Sequence, residues 1–257
     1  MLTSVYGATK PLRTFGGFMA MSLDTFVMMF RPPFAWREYV LQTWFVARVT
    51  TLPALVMVIP YGVLLTFTIN VVLMEIGAVD YSGTGASTAI VSQVGPVATV
   101  LVISGAAATA VCADLGSRTI REELDALRVM GVDPIRSLVV PRVLAITTVS
   151  LALGGAVIMA GLVGSFVFSV YVEHVSPGGF VDHLTLLTGV GDVVVSLIKA
   201  TLFGLAAGLI GCYKGITVGG GPAAVGNAVN ETVVFSFVVL FAINLVSTAV
   251  GIQFTVS

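Results

Sequence analysis

Charge is what this chain has least of: Lys, Arg, Asp and Glu together make up 10% of its 257 residues, against about 25% in an average soluble chain. That scarcity excludes an ordinary water-facing globule, and no stretch of about 50 residues is polar enough to form a soluble domain alone. Neither sign is in excess: 12 basic and 13 acidic residues leave a formal net charge of -1, too little positive charge for a nucleic-acid surface. Cysteine is confined to Cys112 and Cys212, each in an apolar run without CxxC spacing, which reads as two small buried hydrophobes. The two histidines, His174 and His183, share one polar loop and read as solvated rather than metal-binding. No GxxxxGK[ST] occurs, and Gly219, Gly220, Gly221 and Pro222 lack the following Lys and hydroxyl that bind phosphate and magnesium. A charged n-region, short apolar core and small-residue cleavage site are missing from the start, so the mature protein is expected to keep it.

Apolar residues are abundant instead: they reach 57%, with a mean hydropathy of +1.05. Crossing a hydrocarbon core about 30 Å thick takes roughly 20 apolar residues in a helix. Five stretches qualify: Thr51 to Met74, Ala89 to Ala113, Val143 to Val172, Val190 to Tyr213 and Thr232 to Phe254. Pro53, Pro60 and Pro96 are expected to kink or begin the first two, because proline removes a backbone donor.

Basic residues set the orientation. Lys10, Arg13, Arg31, Arg37 and Arg48 precede the first span, Arg118, Arg121, Arg128, Arg136 and Arg142 fill the second loop, and Lys214 follows the fourth span. The first and third loops hold Glu75, Asp80, Glu173 and Asp182 but no Lys or Arg. Since Lys and Arg stay on the cytoplasmic side, the N-terminus and second loop are expected inside and the C-terminus outside.

Ahead of the first span, Pro32 and Pro33 break the chain, and Phe34 to Arg48 reads as a short amphipathic helix. Trp36, Val40, Trp44 and Ala47 recur at helical spacing, which suits the headgroup layer. Phe15 to Phe30, interrupted by Gly16, Gly17 and Asp24, reads as a second interfacial segment. Glycines at 204, 208, 211 and 215 have the GxxxG spacing that lets helix backbones approach closely in lipid, more readily within one subunit than between two.

The segment 114–142, DLGSRTIREELDALRVMGVDPIRSLVVPR, is the most informative part of the chain. Thr119 followed by Glu122 predicts a capping box and a helix to Met130, ended by Gly131 and kept from continuing by Asp133 and Pro134. Ile120, Leu124, Leu127 and Met130 form its apolar stripe, with Arg121, Glu122, Asp125 and Arg128 elsewhere and Arg121 four residues from Asp125 for a surface pair. Two readings stand level: the stripe rests on the bilayer with its charges solvated, or a cytoplasmic motor grips this helix.

Here the residues carry a resemblance. EELDALRVMGVDPIRSLVVPRVLA, Glu122 to Ala145, resembles the signature of the MlaE/YrbE permeases, which work with MCE proteins in lipid transport. SLIKATLFGLAAGLIGCYKG, Ser196 to Gly215, and GNAVNETVVFSFVVLFAIN, Gly226 to Asn244, are similar to the family's fourth and fifth spans. Related proteins often carry GR before the loop where this chain has Gly105, Ala106 and Ala107, a departure that suggests the actinobacterial YrbE branch.

The resemblance implies an all-α integral membrane fold: five transmembrane helices preceded by interfacial amphipathic helices, with a cytoplasmic coupling helix between spans two and three. It divides the chain into an N-terminal cytoplasmic and interfacial segment, 1–50, and a permease domain, 51–257. It also implies a non-catalytic subunit of the bacterial inner membrane that binds no cofactor itself. ATP and Mg would belong to two copies of a cytoplasmic ABC ATPase, a paralogous YrbE-type permease would complete a heterodimer, and MCE proteins would sit on the outer side. Coupling would then fall to Thr119, Arg121, Glu122, Glu123, Asp125 and Arg128, and lipid contact to Phe67 and Phe241 on the first and fifth spans.

Lys199 is the one basic residue inside a predicted span. It either extends its stem to the outer headgroups, pairs with Asp192 or Glu231, or faces a polar cavity where it contacts a lipid headgroup or an MCE protein. A secondary transporter working without ATP is the competing reading, but no internal repeat and few ionisable groups in the spans support it. Ser165 after Gly164 has no positioned base, which disfavours an intramembrane serine enzyme.

Overall fold

The structure, a computed structural model, describes residues 2–32 and 34–256, and the side chains of 13–32 and 34–251. Pro33, one of the two expected chain breakers, lies outside the described residues. In chain order the helices are α1 (Leu2–Met29), α2 (Trp36–Glu75), α3 (Val79–Ile120), α4 (Glu123–Val129), α5 (Ile135–Tyr171), α6 (Pro177–Asp182), α7 (Val190–Ile216) and α8 (Pro222–Val256). No strand occurs among the described residues. Among the described residues five helices, α2, α3, α5, α7 and α8, are long and apolar enough to cross a membrane, in the expected order.

The first span differs from its expected form. The amphipathic stretch 34–48 is not a separate helix: from Trp36 onward it supplies the first turns of α2, which runs unbroken through Pro53 and Pro60 for 40 residues. No Gly or Pro lies between Arg48 and Thr51, and the β-branched Val49 and Thr50 cost only about 0.5 kcal/mol each, so propagation costs less than a break. At about 1.5 Å per residue α2 is about 60 Å long, roughly twice the hydrocarbon core, so part of it must project beyond the bilayer. In α3 a π turn over Ile90–Val94 lets the Gly95 N–H reach the Ile90 carbonyl immediately ahead of Pro96, absorbing the missing proline donor inside a continuous helix.

Packing follows the small residues. The buried positions of α2 are Gln42, Val46, Thr50, Ala54, Val58, Gly62, Thr66 and Asn70, one every four residues. They interlock with a matching row on the parallel helix α5: Gly62 lies against Gly161, the Thr66 hydroxyl donates to Ser165 Oγ at 2.8 Å, and Asn70 Nδ2 to Ser169 Oγ at 3.1 Å. Ridges formed by residues four apart thus fit between one another. On α7 the glycines serve two neighbours within the chain. A Cβ on Gly204 would lie 2.7 Å from Thr147 Cα of α5, and one on Gly211 would lie 2.7 Å from the Ala108 carbonyl oxygen of α3. The GxxxG pairs therefore seat α7 against α5 and α3 of its own subunit, as the sequence favoured.

Most basic side chains gather at one end of the bundle, with the linkers 30–35, 121–134 and 217–221. The opposite, acidic end carries Glu75, Asp80, Glu173, Asp182 and Asp192. It is closed by α6, whose Phe180 is buried against Val175 and Ala86. His183 lies there beside Tyr81, ring centroids 4.8 Å apart, while His174 is exposed at a φ of 57°. Cys112 and Cys212 are both free and buried, as small apolar residues would be.

Candidate functional site

At the basic end, α3 stays helical to Ile120 because SRTI offers no breaker. Thr119 therefore does not cap the next helix, contrary to expectation. Its hydroxyl is spent on the Leu115 carbonyl at 2.9 Å and the Gly215 carbonyl of α7 at 3.0 Å. The chain turns instead at Glu122, held left-handed at a φ of 59°, and α4 is the shorter helix Glu123–Val129. Its end is as expected: Gly131 adopts a φ of 78°, and Val132 N–H reaches back to the Leu127 carbonyl at 2.9 Å in a Schellman turn. Asp133 Oδ1 then accepts from the Ile135 N–H at 2.9 Å, starting α5.

The apolar stripe of α4 divides. Leu124 is buried and Leu127 half-buried against the bundle, while Val129 and Met130 project with 89% and 67% of their surface exposed. Val129, Met130 and Val132 thus make an apolar tip that no described residue of this chain covers. Arg121, Glu122, Asp125 and Arg128 are exposed around it. The expected Arg121–Asp125 pair is not formed, because the late helix start changes their faces. Arg121 Nε pairs with Glu123 at 3.1 Å, and Asp125 with Arg128 at 2.8 Å.

Behind α4 lies a cluster that the sequence did not single out. Arg142 of α5 is fully buried, with Nη2 2.5 Å from Asp114 Oδ2 of α3 and 3.2 Å from Glu38 Oε1 of α2, and Nη1 donating to the Leu138 carbonyl at 2.9 Å. Gln42 Nε2 also donates to Glu38 at 3.0 Å. From Asp114 the chain of charges continues to Arg118 at 3.4 Å and on to Glu123 at 3.7 Å. Three spans and the loop helix are therefore joined by one line of ion pairs. A signal was present in the sequence, an arginine inside the apolar run LVVPRVLA, but it counted there only as a topology marker.

The remaining candidates sit apart from this cluster. Phe67 lies half-exposed on α2, edge-on to Phe168 of α5 at 6.0 Å, and Phe241 on α8, stacked with Phe237 at 5.9 Å. Neither lines the groove of about 630 Å³ that lies between α1, α7 and α8 among Phe15, Phe18, Leu209, Tyr213, Phe235 and Val239. The Tyr213 hydroxyl donates to the Thr14 carbonyl at 2.9 Å, pinning α1 at one edge of this groove. At its rim Lys214 pairs with Glu231 at 2.5 Å. That pair removes Glu231 as a partner for Lys199, whose side chain is 4% exposed and whose Nζ donates to Thr248 Oγ1 of α8 at 2.9 Å. Asp192 is no partner either: its Oδ2 accepts from the Gly189 N–H at 2.9 Å, capping α7. Among the described residues no group of three or more His, Cys, Asp or Glu side chains is placed to hold a metal.

Comparison with known proteins matches residues 39–250 to the family described as Permease MlaE. A probable ABC transporter permease protein of Synechocystis is 34% identical over 182 residues, covering 70% of this chain and 69% of that protein. Another, from Rickettsia bellii, is 28% identical over 246 residues, covering 92% of this chain and 91% of its own length. The intermembrane phospholipid transport system permease protein MlaE of Haemophilus influenzae is 27% identical over 181 residues, 70% of this chain and 69% of that one. Against the relatives from Rickettsia typhi and Rickettsia prowazekii, the chain spans 60% of their length. The match begins inside α2 and runs through all five spans, so the helix-connecting segment 121–134 and the Arg142 cluster lie within it. This five-span chain belongs to the MlaE permease family, the multi-pass inner-membrane permease subunits of ABC-type lipid transporters.

Proposed function

We propose that this chain is one half of a permease core that moves a hydrophobic lipid across the cell envelope, driven by ATP hydrolysis in a separate cytoplasmic subunit. The observation that carries the reading is the construction of the segment 121–134. A short helix ends in an exposed apolar tip ringed by charge, and ion pairs tie its first turn through Arg118 and Asp114 to Arg142 and Glu38. A partner that gripped Val129, Met130 and the surrounding Arg121, Glu122, Asp125 and Arg128 would move α3, α5 and α2 together. Thr119 would contribute by fastening the base of this unit to α7.

In this reading the basic end and N-terminus face the cytosol, where two copies of an ABC ATPase bind ATP and Mg, and the acidic end and C-terminus face outward towards MCE proteins. A second permease is supported by α8, of whose apolar 18-residue stretch only 11% is buried, against 61% of that in α3. The resemblance to YrbE permeases favours a paralogue there, hence a heterodimer, and import as the direction. The lipid-exposed Phe67 and Phe241 are candidate contacts for the acyl part of the cargo.

Replacing Glu122, Glu123 and Asp125 together with alanine is the test. Lipid uptake into cells or proteoliposomes should fall at least about tenfold, the loss of roughly 1.4 kcal/mol of coupling, while insertion and expression are unchanged. Unchanged uptake together with unchanged copurification of the ATPase would overturn the assignment. Membrane-impermeant labelling of a cysteine placed at Arg128 provides the orientation control, and reaction from the outside face contradicts the topology.

A further inference from the structure

The acidic half of the bundle contains a cavity that the coupling cluster does not use. It encloses about 160 Å³ where α7 and α8 meet the π turn of α3, and its polar lining is Ser92, Gln93, Asp192, Ser196, Lys199 and Thr248. Lys199 lies nine residues into α7, about 14 Å along the helix at about 1.5 Å per residue, and its side chain is buried rather than extended to the membrane surface. Among the described residues its ammonium has one neutral acceptor, Thr248 Oγ1, whose own proton goes to the Asn244 carbonyl at 2.7 Å. No carboxylate lies within ion-pair distance of Lys199 among the described residues, and the only one lining the cavity, Asp192, is engaged by the Gly189 N–H. An unpaired charge at such depth is costly, and side chains of this kind within membrane spans mark binding pathways. Beside it, donors from Ser92, Gln93 and Ser196 line the same cavity, and π turns recur at functional sites because they re-aim the side chains around them.

We propose that this cavity seats the anionic group of the transported lipid, a phosphate or carboxylate that takes Lys199 as its counter-ion while the acyl part stays outside in the apolar surroundings. The volume points the same way: about 160 Å³ falls below the roughly 300–1,000 Å³ of pockets that enclose a whole drug-sized ligand and is suited to a compact headgroup. The proposal rests on the permease reading for the identity of the lipid as cargo, but its test needs neither ATP nor transport.

The full complex is purified into nanodiscs of phosphatidylcholine doped with either phosphatidylglycerol or oleic acid, and retained lipid is measured by native mass spectrometry. Diacylglycerol and oleyl alcohol serve as uncharged controls. Wild type is expected to enrich an anionic lipid over its uncharged counterpart, Lys199→Gln to lose about tenfold of that preference, and Lys199→Arg to keep most of it. If Lys199→Gln does not assemble, Gln93→Leu at the cavity mouth carries the test with a loss of about threefold. Inorganic phosphate added in excess distinguishes the two sources of the anion: displacement of lipid shows a shared site, and binding of phosphate without any lipid enrichment overturns the headgroup assignment. Equal retention of charged and uncharged lipid by wild type, or unchanged selectivity in the variants, also overturns it. Loss of transport with selectivity intact would count against the coupling mechanism and leave this site standing.

Discussion

Arg142 and Lys199 are both buried cations, 0% and 4% exposed, but among the described residues Arg142 meets two carboxylates and a carbonyl while Lys199 meets one hydroxyl. At the basic end, the desolvation of the guanidinium is offset by partners on three helices, which makes Arg142 a fixed joint. In the acidic half the ammonium is desolvated with little to offset it, so Lys199 holds free energy that a ligand can recover. The same kind of group thus ties helices together at one end and is positioned to receive an anion at the other.

The largest effect that sharpens this contrast comes from removing each cation. Arg142→Met removes the cation that Asp114 and Glu38 share, leaving them only Arg118 and Gln42, and should cost about 3 kcal/mol of stability. Lys199→Met removes a charge that lacks a counter-ion and should change stability by less than about 1 kcal/mol, or raise it. Unfolding of the purified proteins from mixed micelles by titration with dodecyl sulfate measures both. Equal losses would break the comparison, because they would mean that Lys199 has a counter-charge equivalent to Asp114.

The contrast also shows where the sequence is legible. Five spans, their order and the gathering of basic residues at one end were all readable, because apolar length and charge placement are local properties. The turn at Gly131 was readable for the same reason: a left-handed residue after a helix is a local requirement. Thr119 was misread because its hydroxyl had a competitor 96 residues away in sequence, the Gly215 carbonyl, which no local pattern announces. The partners of Arg142 lie 28 residues away, at Asp114, and on another helix, at Glu38. Whether a charge in an apolar run is compensated depends on packing between helices, so Arg142 and Lys199 look alike until the bundle is assembled.

A smaller effect separates the tight interior seam from the outer face. Gly204→Ala places a Cβ against the Thr147 backbone and Ser150 Cβ, both at 2.7 Å, so α7 must move from α5 at a cost of about 1–3 kcal/mol. Gly105→Ala meets nothing within 4 Å and should gain up to about 1 kcal/mol from helix propensity. The same dodecyl sulfate titration reads the difference. A neutral Gly204→Ala would mean that the seam relaxes freely and that its glycines are not what sets helix spacing.

The smallest effect concerns a carboxyl beyond the spans at the acidic end. Burial pushes the Glu173 carboxyl up from its ordinary range, and the hydrogen bond it accepts from Asn70 draws it partly back. Because the folded protein holds this proton more tightly than the unfolded chain, the resulting stabilisation is complete below the ordinary glutamate range, near about 4.3, and is lost as pH rises through the raised value. Glu173→Gln keeps a side chain that accepts from Asn70 but no longer titrates. Melting temperatures measured from about pH 4 to about pH 7 should therefore decline more steeply in wild type than in the variant, with the two curves converging at the acidic end. Parallel curves would show that Glu173 stays ionised and hydrated, and that the α2–α5 seam opens to water at this end.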